Sequence, residues 1–159
     1  MAKPIAILST FVLLSGMMIL DPILGAQQNW VSINPGVKLA YEFGSQSGFV
    51  FGAEISLVVM PDHDRPYYWG IVASVDQCHD LSKSIIGIEG GYGIVGMCVG
   101  PSFLSKKGVD DIGFTITPYA GAVLIPYFSF TSSSKFGYLN EVGSYVKIPI
   151  LVRGRFNSD

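Results

Sequence analysis

A histidine, an acid and a hydroxyl occur close together in the segment Cys78-His79-Asp80-Leu81-Ser82. Serine hydrolases combine these three side-chain types, with the histidine acting as the base that activates the hydroxyl. A catalytic triad is defined by its geometry and not by adjacency in the sequence, and polar residues grouped in this way are typical of a turn. We therefore predict no catalytic residue here, and catalysis by His79 is kept as an alternative.

Two other groups could bind a metal or form a covalent bond. The turn Asp62-His63-Asp64 offers one imidazole and two carboxylates, but such residues between prolines are more often solvated than metal-bound. Cys78 and Cys98 could pair in an oxidising compartment. Cys78 is expected at a strand end and Cys98 inside the next strand but one, which is too far for a disulfide. We predict two free thiols, no metal site and no cofactor.

The composition excludes several classes of protein. The chain has 159 residues, of which 49% are hydrophobic and 14% are charged, whereas about a quarter of a soluble domain is charged. It is too apolar to be disordered, and its length suits one domain. The net charge of -2 gives no electrostatic basis for a nucleic-acid partner.

The start of the chain has the layout of a secretory signal peptide. One lysine precedes the uncharged apolar run Ile5–Leu20, the pair Asp21-Pro22 interrupts it, and Leu24-Gly25-Ala26 ends in small residues. The apolar run is shorter than the roughly 20 residues that a membrane-spanning helix needs. We predict a signal peptide over residues 1–26, Sec-type export, and a mature domain over residues 27–159.

From residue 27 onwards, hydrophobic residues alternate with small or polar ones. Val31–Phe43 shows this most clearly, with hydrophobic residues at the odd positions. Eight such segments of about 8 to 12 residues follow one another, which predicts an all-β, eight-stranded antiparallel up-and-down barrel. A tight turn is expected near Gly93. The longer polar connections are expected at one end of the barrel, over residues 44–48, 78–83, 104–111 and 131–140.

Three features indicate that the hydrophobic face points outwards into a membrane. The polar face is mostly glycine, serine, alanine and threonine, which suits a narrow lumen. Strands of about ten residues can cross the apolar layer when they are tilted. Large aromatic residues lie near the strand ends, as in the girdles of membrane barrels, and comprise Trp30, Tyr41, Phe43, Phe49, Tyr67, Trp69, Tyr92, Phe103 and Phe128. The alternative is a soluble barrel or sandwich, in which the same hydrophobic face is the core.

The charged residues of the polar face would then lie in the lumen, where a buried charge is costly unless it is paired. Because the last strand neighbours the first in a closed barrel, we expect Lys147 and Lys38 to reach Glu54 or Glu89. We predict an ion-pair network that closes the lumen, with a proton or ion path as the alternative. The network is expected to contain Lys38, Glu42, Glu54, Asp76, Glu89, Glu141, Lys147 and Arg153.

Three features carry a resemblance to a known family, namely the signal peptide, the eight alternating segments and stretches such as PGVKLAYEFG at residues 35–44. With these features the chain resembles the small eight-stranded outer-membrane barrels of Gram-negative bacteria, of the OmpA transmembrane domain and OmpX type. The resemblance covers residues 27–159. It implies a location in the outer membrane, contact with outer-membrane lipid, and insertion by the barrel-assembly machinery. In that family the machinery reads a final strand with a terminal aromatic residue, and Tyr145, Leu151 and Phe156 fit such a strand.

The resemblance implies a structural or interaction role without enzymatic activity. Some barrels of this size modify lipids with a histidine, a serine and an acid, so a lipid-modifying enzyme that uses His79 is one alternative. A secreted soluble barrel that binds an apolar ligand in its interior is the other.

Overall fold

The computed structural model describes residues 30–61 and 66–153, which form one antiparallel sheet closed into a barrel. Its strands are β1 Trp30–Gly44, β2 Gly48–Met60, β3 Tyr67–Cys78, β4 Leu81–Tyr92, β5 Val95–Lys106, β6 Val109–Ala120, β7 Leu124–Ser133, β8 Gly137–Lys147 and β9 Ile150–Arg153. Since β8 and β9 both pair with β1 and are separated only by Ile148-Pro149, they occupy one position in the barrel. The prediction of an eight-stranded antiparallel up-and-down barrel is confirmed. The predicted signal peptide lies outside the described residues.

Within the described residues, no helix is long and apolar enough to cross a membrane.

The strands at one end of the barrel are longer than the sequence indicated. This end, called the loop end below, carries the connections β1–β2, β3–β4, β5–β6 and β7–β8; the opposite end is called the turn end. Cys78 pairs with Leu81 and Lys106 with Val109, so both connections are two-residue turns. Positive φ angles at Lys107 (49°) and Gly108 (82°) identify the second as a type I′ turn, which suits the twist of the strands.

The prediction of loops over residues 78–83 and 104–111 is therefore wrong for most of each segment. Leu81 begins β4 and Leu104 lies inside β5, and both side chains are 1% exposed in the lumen. Polar residues are common on both faces of these strands near the loop end, so the alternation of hydrophobic and polar residues is lost there although the backbone remains extended.

The strand register determines the tilt of the strands and the width of the barrel. From Ile33, successive paired residues are Leu57, Ile71, Ile88, Val99, Ile116, Phe130, Asn140 and finally Phe43. This path returns to β1 ten residues from its start, which is a shear number of 10. With a rise of about 3.3 Å per residue and a strand spacing of about 4.8 Å, the strands tilt by about 40° and the backbone radius is about 8 Å. A barrel this narrow is filled by its own side chains.

The hydrophobic face lies on the outside of the barrel. On β1, Val37 and Leu39 are 63% and 56% exposed, whereas Lys38 and Ala40 between them are buried. The same alternation continues in the other strands. This is the opposite of a soluble ligand-binding barrel, which places its hydrophobic face in the interior.

Aromatic side chains lie on the outer wall towards both ends of the barrel. Eight of the nine predicted girdle residues are exposed, namely Tyr41, Phe43, Phe49, Tyr67, Trp69, Tyr92, Phe103 and Phe128, and Trp30 is partly buried. Near the loop end, the rings of Tyr41 and Phe49 meet edge to face with centroids 5.5 Å apart. Phe130 and Tyr138, which the sequence did not predict as girdle residues, also lie on the outer wall near the loop end, and their ring centroids are 5.6 Å apart.

Candidate functional site: the barrel interior

The loop end of the lumen is closed by an apolar group that we call the leucine cluster. It consists of Leu81, Leu104 and Leu139, each 1% exposed, with Phe136 packed against them. The three leucines come from β4, β5 and β8, so they converge from several sides of the barrel. The cluster was not predicted, because Leu81 and Leu104 fall in segments that the sequence indicated to be loops.

Below the leucine cluster lies a group of five buried ionisable side chains, the upper cluster. Lys38 Nζ is 2.7 Å from Asp76 Oδ2 and 3.1 Å from Glu141 Oε1. Lys83 Nζ is 2.6 Å from Glu141 Oε2 and 3.7 Å from Asp76 Oδ2. It also lies 4.0 Å from Glu42 Oε2. These contacts join strands β1, β3, β4 and β8 across the lumen.

Lys83 is a central member of the upper cluster that the sequence did not predict, because its polar segment indicates a loop. Its side chain is 3% exposed, and it contacts all three carboxylates of the cluster. The signal that could have found it is its spacing, since Leu81, Lys83 and Ile85 are all buried at alternate positions of β4. Leu81 and Ile85 lie two positions before and after Lys83 and therefore share its face of the strand. This indicates that Lys83 points inwards only once the strand is known to begin at Leu81.

Nearer the turn end is a second charged group, the lower cluster. Lys147 forms an ion pair with Glu54, and its Nζ lies 3.5 Å from Glu89 Oε2. The Tyr119 hydroxyl donates to the same Glu89 oxygen at 3.1 Å, and Tyr68 donates to Tyr119 at 3.2 Å. Glu89 is therefore held by both an ammonium and a phenol, and Glu54 by the same ammonium.

Lys38 does not reach Glu54 or Glu89, contrary to the expectation, and that part of the prediction is wrong. In the register, Lys38 pairs with Gly52, and Gly52 pairs with Asp76. Because Gly52 has no side chain, the Lys38 ammonium passes over it to the Asp76 carboxylate on the next strand but one. The two lysines therefore serve different clusters, Lys147 the lower and Lys38 the upper.

Tyrosine rings lie between the two clusters and fill the middle of the lumen. Tyr127 and Tyr145 stack with centroids 4.2 Å apart, and the Tyr127 hydroxyl donates to Glu141. Lys38 Nζ lies 5.5 Å from the Tyr145 centroid, and Lys147 Nζ lies 5.2 Å from it. Both ammonium groups are therefore within cation–π distance of one ring, which stabilises them where water is excluded.

The β6–β7 side of the lumen carries neutral hydroxyl pairs in place of charges. Thr115 and Thr131 hydrogen-bond at 2.8 Å, and Thr117 donates to Ser129 at 2.9 Å. All four side chains are buried. These pairs fill the wall opposite the charged strands, so the described interior is packed from the leucine cluster to the lower cluster.

Acidic groups outnumber basic ones in the two clusters. The described members are the carboxylates of Glu42, Glu54, Asp76, Glu89 and Glu141 and the ammonium groups of Lys38, Lys83 and Lys147. Four buried side-chain atoms have no hydrogen-bond partner among the described groups, namely Glu42 Oε1, Asp76 Oδ1, Glu89 Oε1 and Ser102 Oγ. Each lysine nevertheless contacts at least two carboxylates, which offsets much of the cost of burying the charges.

Some residues singled out in the sequence lie partly or wholly outside the described part of the structure. The backbone of Arg153 pairs with Val31, but its side chain lies outside the described part of the structure. The Asp62-His63-Asp64 segment and Phe156 also lie outside the described residues. Among the residues that are described, no group of three or more histidine, cysteine, aspartate or glutamate side chains could hold a metal ion.

No family model matches the sequence, and no curated protein matches it.

The candidate catalytic residues are not gathered into one site. His79 is exposed in the β3–β4 turn, with a φ of 48°, and its Nδ1 lies 3.8 Å from Cys78 Sγ. The Asp80 carboxylate pairs with Lys107 at 3.1 Å. Ser82 lies on the outer wall opposite Gln77. Cys78 and Cys98 are free thiols.

Proposed function

We propose that this protein is an integral outer-membrane barrel with a structural or interaction role, without enzymatic activity, whose lumen is closed by its charged network. It would be exported by the Sec route, inserted by the barrel-assembly machinery and surrounded by outer-membrane lipid. The observation that supports this proposal best is the combination of an apolar outer wall with an interior of paired charges.

The outer wall supports contact with lipid on energetic grounds. Side chains such as Phe51, Ile88 and Leu124 are 65%, 63% and 62% exposed. Burial of apolar surface is favourable by about 25 cal/mol per Å², and soluble monomers rarely expose continuous apolar patches above a few hundred Å². An apolar surface that surrounds a barrel is stable in hydrocarbon, where each strand has its backbone groups paired with its neighbours.

The interior supports a closed lumen. The leucine cluster closes the loop end. Below it, all three ammonium groups contact carboxylates, and those of Lys38 and Lys147 also lie over tyrosine rings. An ion would have to break these contacts and displace packed side chains before it could pass. We therefore favour a plug over an ion path.

Membrane insertion is tested with two matched arginine substitutions on the outer wall. Val37→Arg places a charge in the apolar band of β1, where it should cost about 2–4 kcal/mol in a bilayer. Gln77→Arg places the same charge at the polar loop end, where little cost is expected. The wild type and Gln77→Arg should float with lipid vesicles and migrate faster on SDS gels before boiling, and Val37→Arg should do so less. A wild type that stays monomeric in plain buffer without detergent would refute membrane insertion.

Closure of the lumen is tested by planar-bilayer recording. Purified wild-type protein should give no steady current. Steady ohmic channels from folded wild-type protein would refute the plug and favour the ion path.

A further inference from the structure

The outer wall contains a groove that crosses strands β2 to β6. Its volume is about 1080 Å³, just above the roughly 300–1,000 Å³ typical of small-molecule pockets. Small outward residues contribute to its lining, among them Ala53, Ala73 and Ser84, and the larger Phe103 and Ile112 also line it. Ala53, Val75, Ser84, Phe103 and Ile112 are successive partners in the register, so the lining is continuous across five strands.

The loop end of the groove is bordered by a row of polar side chains. Gln77 pairs with Ser82, Ser82 with Ser105, and Ser105 with Asp110. The last three of these residues line the groove, and Gln77 and Asp110 are exposed. The groove is therefore apolar along most of its length and hydrogen-bonding at one end, which is the polarity of a lipid molecule.

One hydroxyl lies within the apolar part of the groove. Ser84 points outwards from β4 between Val75 and Phe103. A polar group facing hydrocarbon is unfavourable unless it has a hydrogen-bond partner, and the ester carbonyl of a lipid can accept such a bond.

We propose that this groove binds one diacyl lipid whose headgroup is uncharged and carries hydroxyl groups. The acyl chains lie along Ala53, Ala73 and Ile86, and the headgroup hydroxyls bond to the row Gln77-Ser82-Ser105-Asp110. Hydroxyls both donate and accept, as these side chains require. The Asp110 carboxylate accepts from hydroxyls. The Lys135 ammonium lies beside it, 2.6 Å from the Asp110 backbone carbonyl, so opposite charges meet at this rim and an uncharged headgroup fits it. This proposal rests on the proposed membrane location.

A second copy of the chain is a poorer occupant of the groove. A two-fold interface would place the groove against the same groove of its partner, because such interfaces use one patch on both subunits. Two facing grooves would leave their volume unfilled, whereas flexible acyl chains can fill it.

The test compares retention of two lipids that have identical acyl chains. Detergent-solubilised barrel is titrated with monogalactosyl diacylglycerol or with phosphatidylcholine, which has no headgroup donor, and bound lipid is counted by native mass spectrometry. The wild type should retain one galactolipid and at least fivefold less phosphatidylcholine. Ser84→Phe should fill the groove and abolish retention of both. Asp110→Ala should reduce retention of the galactolipid towards that of phosphatidylcholine. The control Ala120→Phe adds the same ring to an exposed position of β6 that does not line the groove, and should bind like the wild type.

Equal retention of the two lipids by the wild type would overturn the inference, as would unchanged retention by Ser84→Phe. If Ser84→Phe fails to fold, the lipid preference of Asp110→Ala becomes the test, and an unchanged preference in that variant refutes the inference. Vesicle flotation of each variant is measured in parallel. A barrel that floats but shows no lipid preference refutes the groove site and leaves the proposed function standing, whereas a barrel that does not float refutes both.

Discussion

Replacing Lys83 by methionine tests whether the upper cluster stabilises the fold as a unit. The substitution keeps the apolar stem of the side chain and removes the ammonium group. Glu141 would retain Lys38 at 3.1 Å and the Tyr127 hydroxyl. Glu42 would lose Lys83, which lies 4.0 Å away, and its Oε1 already has no partner among the described groups.

The expected cost follows from this partial compensation. Breaking a buried ion pair by removing one partner costs about 3–5 kcal/mol, because the other charge remains buried. Since Glu141 keeps two partners, we expect about 3 kcal/mol for Lys83→Met. With a typical m value of about 1–3 kcal/mol/M in urea, the unfolding midpoint should fall by about 1–3 M.

The assay is equilibrium urea unfolding of the barrel in lipid vesicles, followed by intrinsic tryptophan fluorescence. Lys107→Met is the matched control, because Lys107 and Asp80 form a pair whose side chains are 72% and 58% exposed. Exposed pairs contribute about 0–1 kcal/mol. The double variant Lys83→Met/Glu141→Gln removes one charge of each sign and should recover part of the loss, giving a coupling energy that exceeds the error of the measurement.

Two results would contradict this reasoning. If Lys83→Met costs no more than Lys107→Met, the upper cluster does not stabilise the barrel through its charges. If the double variant loses as much as the two single variants combined, Lys83 and Glu141 act independently despite their 2.6 Å contact.

Three further predictions concern other parts of the barrel. Gly52→Ala should lower the free energy of unfolding, measured in urea, by about 1–3 kcal/mol, because the new Cβ would lie 3.1 Å from Lys38 Cδ and 2.9 Å from a backbone oxygen. The control is Gly90→Ala, whose Cβ would have its nearest contact at 3.4 Å and which should be neutral or slightly stabilising. The pKa of Asp111, at the loop-end rim, should lie below its ordinary value in an NMR titration, because the Lys135 backbone N–H donates a hydrogen bond to the Asp111 carboxylate. A lowered carboxyl pKa stabilises the fold above the unfolded pKa, and that contribution is lost as the pH falls through the folded pKa; an unshifted NMR midpoint would refute it. Alkylation without reductant should modify both cysteines in urea and neither rapidly in the folded barrel, and a mass showing one disulfide would refute the free thiols.

Most of the barrel could be predicted from the sequence because strand alternation is a local property. In β1, Val37, Lys38 and Leu39 already specify which side chains share a face, whatever the rest of the chain does. The closed eight-stranded barrel follows from repeating that pattern. The ends of the strands could not be predicted, since polar residues near Lys83 and Leu104 are compatible with either a loop or an extended strand that passes the rim.

The sequence alone determined that charged residues share the inward face, but the tertiary structure decided which of them pair. Lys38 and Asp76 lie on strands that are not adjacent, and they meet only because the register places Gly52 between them. The shear of ten residues and the narrow radius bring Glu141 of β8 to Lys83 of β4 across the lumen. Ion pairing depends on distances between atoms that are far apart in the chain, and those distances exist only after the sheet has closed.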